Sequence, residues 1–153
     1  MKKRDVFALA LGFDIIAFDF LTKWLAHTQL TDPIVIIPEV FKLELHKNPY
    51  LAFSIPFPNS MQIILSLGLM LLLVLYWRQR QSSHLEHFAL AAIFGGAVGN
   101  LSERVLFEEV TDFIAVWEFP VFNLADIAIT LGVLVLLWGE VFVKKQPKVA
   151  DHP

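Results

Sequence analysis

The sequence contains no cysteine. Disulfides, thiolate metal sites and a cysteine nucleophile are therefore excluded, and the redox compartment stays open. Other absences narrow the chemistry further. No G-x-S-x-G elbow, H-E-x-x-H helix or phosphate-binding glycine loop occurs. The formal net charge of −3 is too mild to suggest nucleic acid, and no basic stripe is interleaved with aromatics. Internal repeats and low-complexity segments are also missing. The histidines His27, His46, His84, His87 and His152 are scattered. Only His84 and His87 stand close, in what reads as a solvated inner loop. Neither a metal nor a cofactor is expected.

Apolar residues are what the chain has in plenty. They make up 56% of its 153 residues and are gathered into long stretches, which points to a membrane protein. The length suits one compact unit spanning 1–153. Four stretches are candidates for crossing a bilayer, at about residues 6–26, 60–77, 85–101 and 122–143. Each is near the roughly 20 residues that a helix needs to cross the hydrocarbon core. The third is short, and Gly95, Gly96 and Gly99 suit it to close helix packing in lipid. The first follows Lys2, Lys3 and Arg4, as a signal peptide would. Its length, its interruption by Asp14 and Asp19 and the lack of a small-residue cleavage site mark it instead as a retained span.

Lys and Arg in the loops set the orientation. Lys2, Lys3, Arg4, Arg78, Arg80, Lys144, Lys145 and Lys148 fall on one side; Lys23, Lys42, Lys47 and Arg104 fall on the other. The imbalance places both termini in the cytoplasm, so that segments 27–59 and 102–121 face outward. In the first of these, FKLELH alternates apolar with polar residues and several prolines punctuate the run. That pattern predicts a small β-element resting at the membrane surface. The second is apolar enough to dip back toward the bilayer.

Polar residues gather at the outer boundary. Asp126 lies about one turn inside the fourth span, with Asn123 three residues before it. Asp112 stands in the preceding outer segment, Asn100 ends the third span, and Glu103 and Arg104 follow one turn later. Asp19 and Lys23 are spaced i, i+4 at the outer end of the first span. All share one membrane level. Two carboxylates held in contact cannot both ionise easily and share a proton. The ionised member can then take a proton from water while the protonated one hydrogen-bonds a substrate carbonyl, as in aspartic proteases. The spacing of Asp112 and Asp126 permits such a meeting without proving it. Plainer roles stand beside this one. Asp126 can stabilise its helix through the macrodipole, and Asp19 and Lys23 can be a structural ion pair. Asn100 and Asn123 can satisfy backbone groups between helices. Asp14 has no evident partner.

Taken together, these residues resemble the lipoprotein signal peptidase family, also called signal peptidase II. The resemblance covers nearly the whole chain. It includes D-x-x-T-K at Asp19 to Lys23, N-x-x-x-A-F-S at Asn48 to Ser54 and GGAVGN with Arg104. It continues through V-T-D-F at Val110 to Phe113 and F-N-L-A-D at Phe122 to Asp126. The resemblance implies an all-α membrane protein of four transmembrane helices with a small periplasmic β-cradle. The implied reaction cuts the peptide bond just before a diacylglyceryl-modified cysteine and so releases the signal peptide of a bacterial prolipoprotein. Asp112 and Asp126 align with the family's catalytic aspartates, and Asp19, Lys23, Asn48, Asn100, Arg104, Asn123 and Ala125 with residues that support or line the site. The expected setting is the cell inner membrane, with lipids and a diacylglyceryl-prolipoprotein as partners, no nucleic acid, and a monomeric enzyme working at the outer face.

Four positions depart from the family's pattern. Phe20 stands where Gln is usual, Tyr50 and Glu108 where Gly is usual, and Glu103 where Asp is usual. Phe20 and Glu103 are expected to change polar support at the site. Tyr50 and Glu108 bear on shape, since Gly supplies positive φ or close approach. These departures motivate one rival reading, a non-catalytic relative that binds lipoproteins without cutting them. A small transporter using intramembrane carboxylates is the other.

Overall fold

In hydrocarbon a chain must satisfy its backbone hydrogen bonds within each segment, so the apolar runs become helices. The computed structural model describes residues 3–50, 56–79 and 83–143. Ala52, Phe53 and Ser54 of the N-x-x-x-A-F-S stretch lie outside the described residues, as do Lys2, Arg80, Lys144, Lys145, Lys148 and His152. The helices are α1 (Lys3–Gln29), α2 (Asn59–Gln79), α3 (His84–Phe107) and α4 (Leu124–Trp138), the last continuing into a π-helical turn at Gly139–Val143. Three helical stretches, Asn59–Arg78, His84–Phe107 and Leu124–Val141, are long and apolar enough to cross a membrane. α1 is 27 residues long and carries Asp14, Asp19 and Lys23 inside its apolar run.

Local sequence fixes where the helices start. Ser83 caps α3 and forms a capping box with Glu86: the Ser83 hydroxyl accepts from the Glu86 N–H (3.2 Å) and Glu86 accepts from the Ser83 N–H (2.9 Å). Asn123 and Asp126 form the same box at the start of α4. α3 is longer than the expected stretch of 85–101. Ser102 to Phe107 contain no Pro or Gly to stop the helix, and the charges of Glu103 and Arg104 find partners inside the protein, described below. The helix ends at Glu108, which takes a left-handed φ of 61° and returns its N–H to the Arg104 carbonyl. The His84–His87 stretch is not a loop. His87 is buried inside the first turn of α3, edge-on to Trp77 with ring centroids 5.6 Å apart, and faces Asp5 at 3.6 Å.

Between the helices lies a three-stranded antiparallel sheet in the order β1 (Ile34–Ile37), β2 (Phe41–Asn48), β3 (Val110–Val116). The first two strands realise the β-element expected in 27–59. Pro38 and Glu39 form the turn between them, closed by the Val40 N–H on the Ile37 carbonyl (3.1 Å), with Glu39 at φ 61°. Segment 102–121, expected to dip back toward the bilayer, completes α3 and then forms β3. Val-Thr-Asp-Phe-Ile pairs with β2, because β-branched residues there meet a strand with open edge groups. The chain then turns at Trp117, and Phe122 exchanges two hydrogen bonds with Ile114 (2.9 and 3.0 Å). That clamp brings Asn123, the start of α4, alongside the Asp112 end of β3.

α3 is the central helix and packs chiefly against α1 and α4. Ala89, Ala91, Gly95, Gly96 and Gly99 are buried along it, and the small side chains let the backbones come close. Gly96 is pressed against α4: an added Cβ would stand 2.5 Å from the Ala125 carbonyl oxygen and 2.9 Å from Ile129 Cγ1. Gly68, on α2, has nothing within 4 Å of that position. We therefore expect Gly96→Val to lower the stability of the detergent-solubilised protein by about 1–3 kcal/mol or more. Gly68→Ala should leave the thermal unfolding midpoint unchanged or higher.

Candidate active site

Asp19 and Lys23 are one turn apart on α1 and face α3 and α4, so their charges turn into the protein. The residues are 0% and 2% exposed. Lys23 donates to Asn100 Oδ1 (2.9 Å) and is ion-paired with Asp19 Oδ2 (2.7 Å) and Glu103 Oε2 (3.1 Å), three partners for its one ammonium. The other Asp19 oxygen accepts from the Ala125 N–H (3.0 Å), one of the unpaired amides in the first turn of α4. Ala125 thus takes part through its backbone and through close packing. Gly99 makes room for Asp19: a Cβ there would lie 2.5 Å from Asp19 Oδ2.

Asn100 accepts on its carbonyl from Lys23 and from Asn123 Nδ2 (3.1 Å), which turns its amide nitrogen toward Asp126 Oδ1 (2.8 Å). Asn123 occupies the centre. Its carbonyl caps α4 by accepting from the Asp126 N–H (3.0 Å), and Asp126 Oδ2 accepts from the Asn123 N–H (3.2 Å). Its amide nitrogen also donates to Asp112 Oδ1 (2.7 Å). One residue therefore touches both carboxylates, Asp112 through its side-chain amide and Asp126 through its backbone N–H, and the plain role foreseen for Asp126, helix stabilisation, coexists with its place in the cluster. Asn48, on β2, donates to the second Asp112 oxygen (2.9 Å). Arg104 donates from Nη2 to the Tyr50 carbonyl (2.8 Å), and its buried Nη1 has no hydrogen-bond partner among the described residues.

The electrostatics follow from burial. Asp112 is 2% exposed, and desolvation pushes its carboxyl up from 3.8 to about 6. The charge of Asp126 adds to the rise, while the hydrogen bonds from Asn48 and Asn123 and the charge of Lys23 oppose it. Asp19, Lys23, Asn48, Asn100, Glu103, Asp112, Asn123, Ala125 and Asp126 form one network, and Arg104 joins it through Tyr50, whose N–H donates to Asn48 Oδ1 (3.0 Å). Asp14 does not; it is exposed on α1, away from the cluster.

The departures resolve in different ways. Phe20 is 41% exposed on the outer side of α1, so the expected change in polar support does not arise there. Glu108 takes the positive φ that Gly would adopt without strain. Tyr50 contributes its backbone carbonyl to Arg104, and its own φ is not among the positive values of the described residues. Glu103 accepts from Lys23 and also from Thr111, by N–H (2.9 Å) and hydroxyl (2.8 Å). The Thr111 hydroxyl also meets His27 Nε2 (2.9 Å). Sequence reasoning missed Thr111 and His27. The available signal was alternation, since neighbours on a strand face opposite sides and Thr111 adjoins Asp112.

The family sequence model described as signal peptidase (SPase) II matches residues 11–142. The chain is 38% identical over 136 residues to the lipoprotein signal peptidase of Shouchella clausii (strain KSM-K16), covering 85% of this chain and 89% of that one. It is 39% identical over 156 residues to that of Acinetobacter baumannii (strain AB307-0294), with 92% and 88% covered. Its fold is similar to a solved bacterial membrane enzyme at a TM-score of 0.80, with 28% identity and 93% of each chain covered.

The raised Asp112 carboxyl has a measurable consequence. Between pH 3.8 and about 6 the folded chain holds a proton that the unfolded chain has released. Its contribution to stability is therefore undiminished below that window and falls by roughly 3 kcal/mol as pH rises through it. In carbon NMR of aspartate-labelled protein we expect one carboxyl resonance to titrate near pH 6. It should vanish in Asp112→Asn and titrate at lower pH in Asp126→Asn, where the neighbouring charge is gone.

Proposed function

The chain belongs to the signal peptidase II family, and from that premise we propose that it removes signal peptides from prolipoproteins with Asp112 and Asp126 as a catalytic aspartate pair. The observation that carries this reading is the shared neighbour, Asn123, which donates from its side chain to Asp112 and from its backbone N–H to Asp126 inside a cluster closed to solvent on most sides. The cluster holds the acids Asp19, Glu103, Asp112 and Asp126 against the cations Lys23 and Arg104. One proton shared by Asp112 and Asp126 reduces the uncompensated buried charge, which favours the half-protonated pair.

The mechanism assigns the proton to Asp112, the more buried of the two, and leaves Asp126 ionised at the N-terminus of α4, where the helix dipole favours negative charge. A water held between them gives a proton to Asp126 as its oxygen bonds to the scissile carbonyl carbon, and Asp112 protonates the carbonyl oxygen. The tetrahedral diol collapses as the C–N bond breaks, with a proton passing from Asp126 to the leaving amine and one returning to Asp112. Arg104 Nη1, without a partner among the described residues, is available to a substrate carbonyl. The scissile bond is the one preceding a diacylglyceryl-modified cysteine, whose acyl chains would stay in the bilayer.

On the same reading α1 is a fourth membrane span, since its polar side is covered by α3 and α4 and Phe7, Phe13, Phe18 and Trp24 face outward. The chain 1–153 is then a single unit in the inner membrane, a monomer with both termini in the cytoplasm. The sheet forms the periplasmic cradle. Ile34, Val35, Ile36 and Ile37, all exposed, rest on the outer leaflet. Against a transport reading, the four buried or clustered acids among the described residues, Asp19, Glu103, Asp112 and Asp126, meet at one end of the helices, and Asp14 is exposed on α1 away from them.

In a gel-shift assay with purified protein, a diacylglyceryl-modified prolipoprotein should be cut and its unmodified form left whole. Asp112→Asn and Asp126→Asn should each lose roughly 10²–10⁴-fold or more in rate while inserting and melting as folded proteins. Wild-type turnover by both variants sinks the mechanism. A panel of lipidated substrates left uncut by the unaltered protein would favour the non-catalytic binding relative.

A further inference from the structure

We propose that Thr111 is a positioning residue for both aspartates, acting through Glu103 and Lys23. The inference rests on the reading of Asp112 and Asp126 as the catalytic pair. Thr111 is 4% exposed and points to the side of β3 opposite Asp112, into the space between α1 and α3. Its hydroxyl proton goes to Glu103 Oε1 at 2.8 Å. A hydroxyl has one proton to give, so the contact with His27 at 2.9 Å requires His27 Nε2 to carry the proton and donate to Thr111 Oγ1. His27 on α1, Thr111 on β3 and Glu103 on α3 thus form a directed chain that ends on a buried carboxylate.

What that chain controls is the direction of Lys23. Glu103 is 5% exposed, and among the described residues the Thr111 hydroxyl is the only hydrogen-bond donor to its Oε1. Its Oε2 takes the Thr111 N–H and Lys23. With both oxygens served, Lys23 keeps one N–H for Asn100, and Asn100 keeps its amide nitrogen on Asp126. If the hydroxyl is removed, Glu103 holds a buried oxygen without a donor, a costly state. Lys23 is the nearest cation able to relieve it. Each step by which Lys23 moves toward Glu103 weakens its hold on Asn100, and so the orientation of the donor that faces Asp126. Thr111 acts on Asp112 more directly, because the same bonds fix the strand position immediately before it. Glu103 is long enough to reach both the backbone and the hydroxyl of Thr111, which gives its extra methylene over Asp a use in this chain.

The test measures kcat and KM on the lipidated precursor for wild type, Thr111→Val, Thr111→Ser, Glu103→Ala and the Thr111→Val/Glu103→Ala double variant, with Asp126→Asn alongside. We expect Thr111→Val to lower kcat roughly tenfold, the scale of one hydrogen bond to a charged group. Its KM should stay within about twofold, since Thr111 does not reach the substrate, and Thr111→Ser should restore kcat to within about twofold. On the Glu103→Ala background the Val substitution should cost less than about twofold, because its route is already cut. A Thr111→Val enzyme that melts lower but keeps wild-type kcat would make the residue merely structural and overturn the proposal. So would a loss that serine does not restore, or losses that multiply in the double variant. Wild-type activity in Asp126→Asn would instead bring down the catalytic reading itself.

Discussion

The structure depends on where one buried ammonium finds its three polar partners. Lys23 sits among helices with almost no water around it, and an unpaired charge there would cost several kcal/mol. Its partners come from α1 itself and from two turns of α3, and Asp19 carries the link onward to the first turn of α4. Three helices are therefore registered against one another by a single side chain. Lipid supplies no hydrophobic force to do this between apolar helices, so the polar contacts at one end and the small residues of α3 carry the alignment together.

Much of this was legible in the sequence. The long apolar runs gave four helices, and the polar residues at one end of them pointed to one cluster because each sat at a similar distance from the end of an apolar run. The element least legible was β3. Val110 to Val116 is apolar enough to be taken for a membrane-facing loop, and only the open edge of β2 makes it a strand. The true end of α3 was hidden for a related reason. Glu103 and Arg104 look like a helix leaving the membrane, whereas buried partners let the helix continue to Phe107. Thr111 and His27 were missed because their significance lies in contacts across 84 positions of chain, which no local pattern announces.

Departures from a family pattern also read differently in three dimensions. Phe20 is a change of polarity on paper and a side chain facing outward in the fold. Glu108 is a change of shape that the chain accepts at a left-handed φ. Glu103 has kept its charge and lengthened its reach, and a threonine stands where that reach ends. Pattern mismatches at a site are thus best weighed by where the side chain ends up, since the same kind of substitution can be idle, strained or compensated.

The capping box at the start of α4 has a wider consequence. Asp126 holds the first turn of its helix through the backbone of Asn123, and Asn123 holds Asp126 in return while reaching Asp112. Architecture and the proposed chemistry thus occupy the same few atoms. A position with two such duties tolerates few replacements, because a residue that suits one duty fails the other. For a compound lodged against Asn123 and the two carboxylates, the room for escape by mutation would be narrow, and resistance would have to arise elsewhere, through expression, efflux or the rim of the sheet.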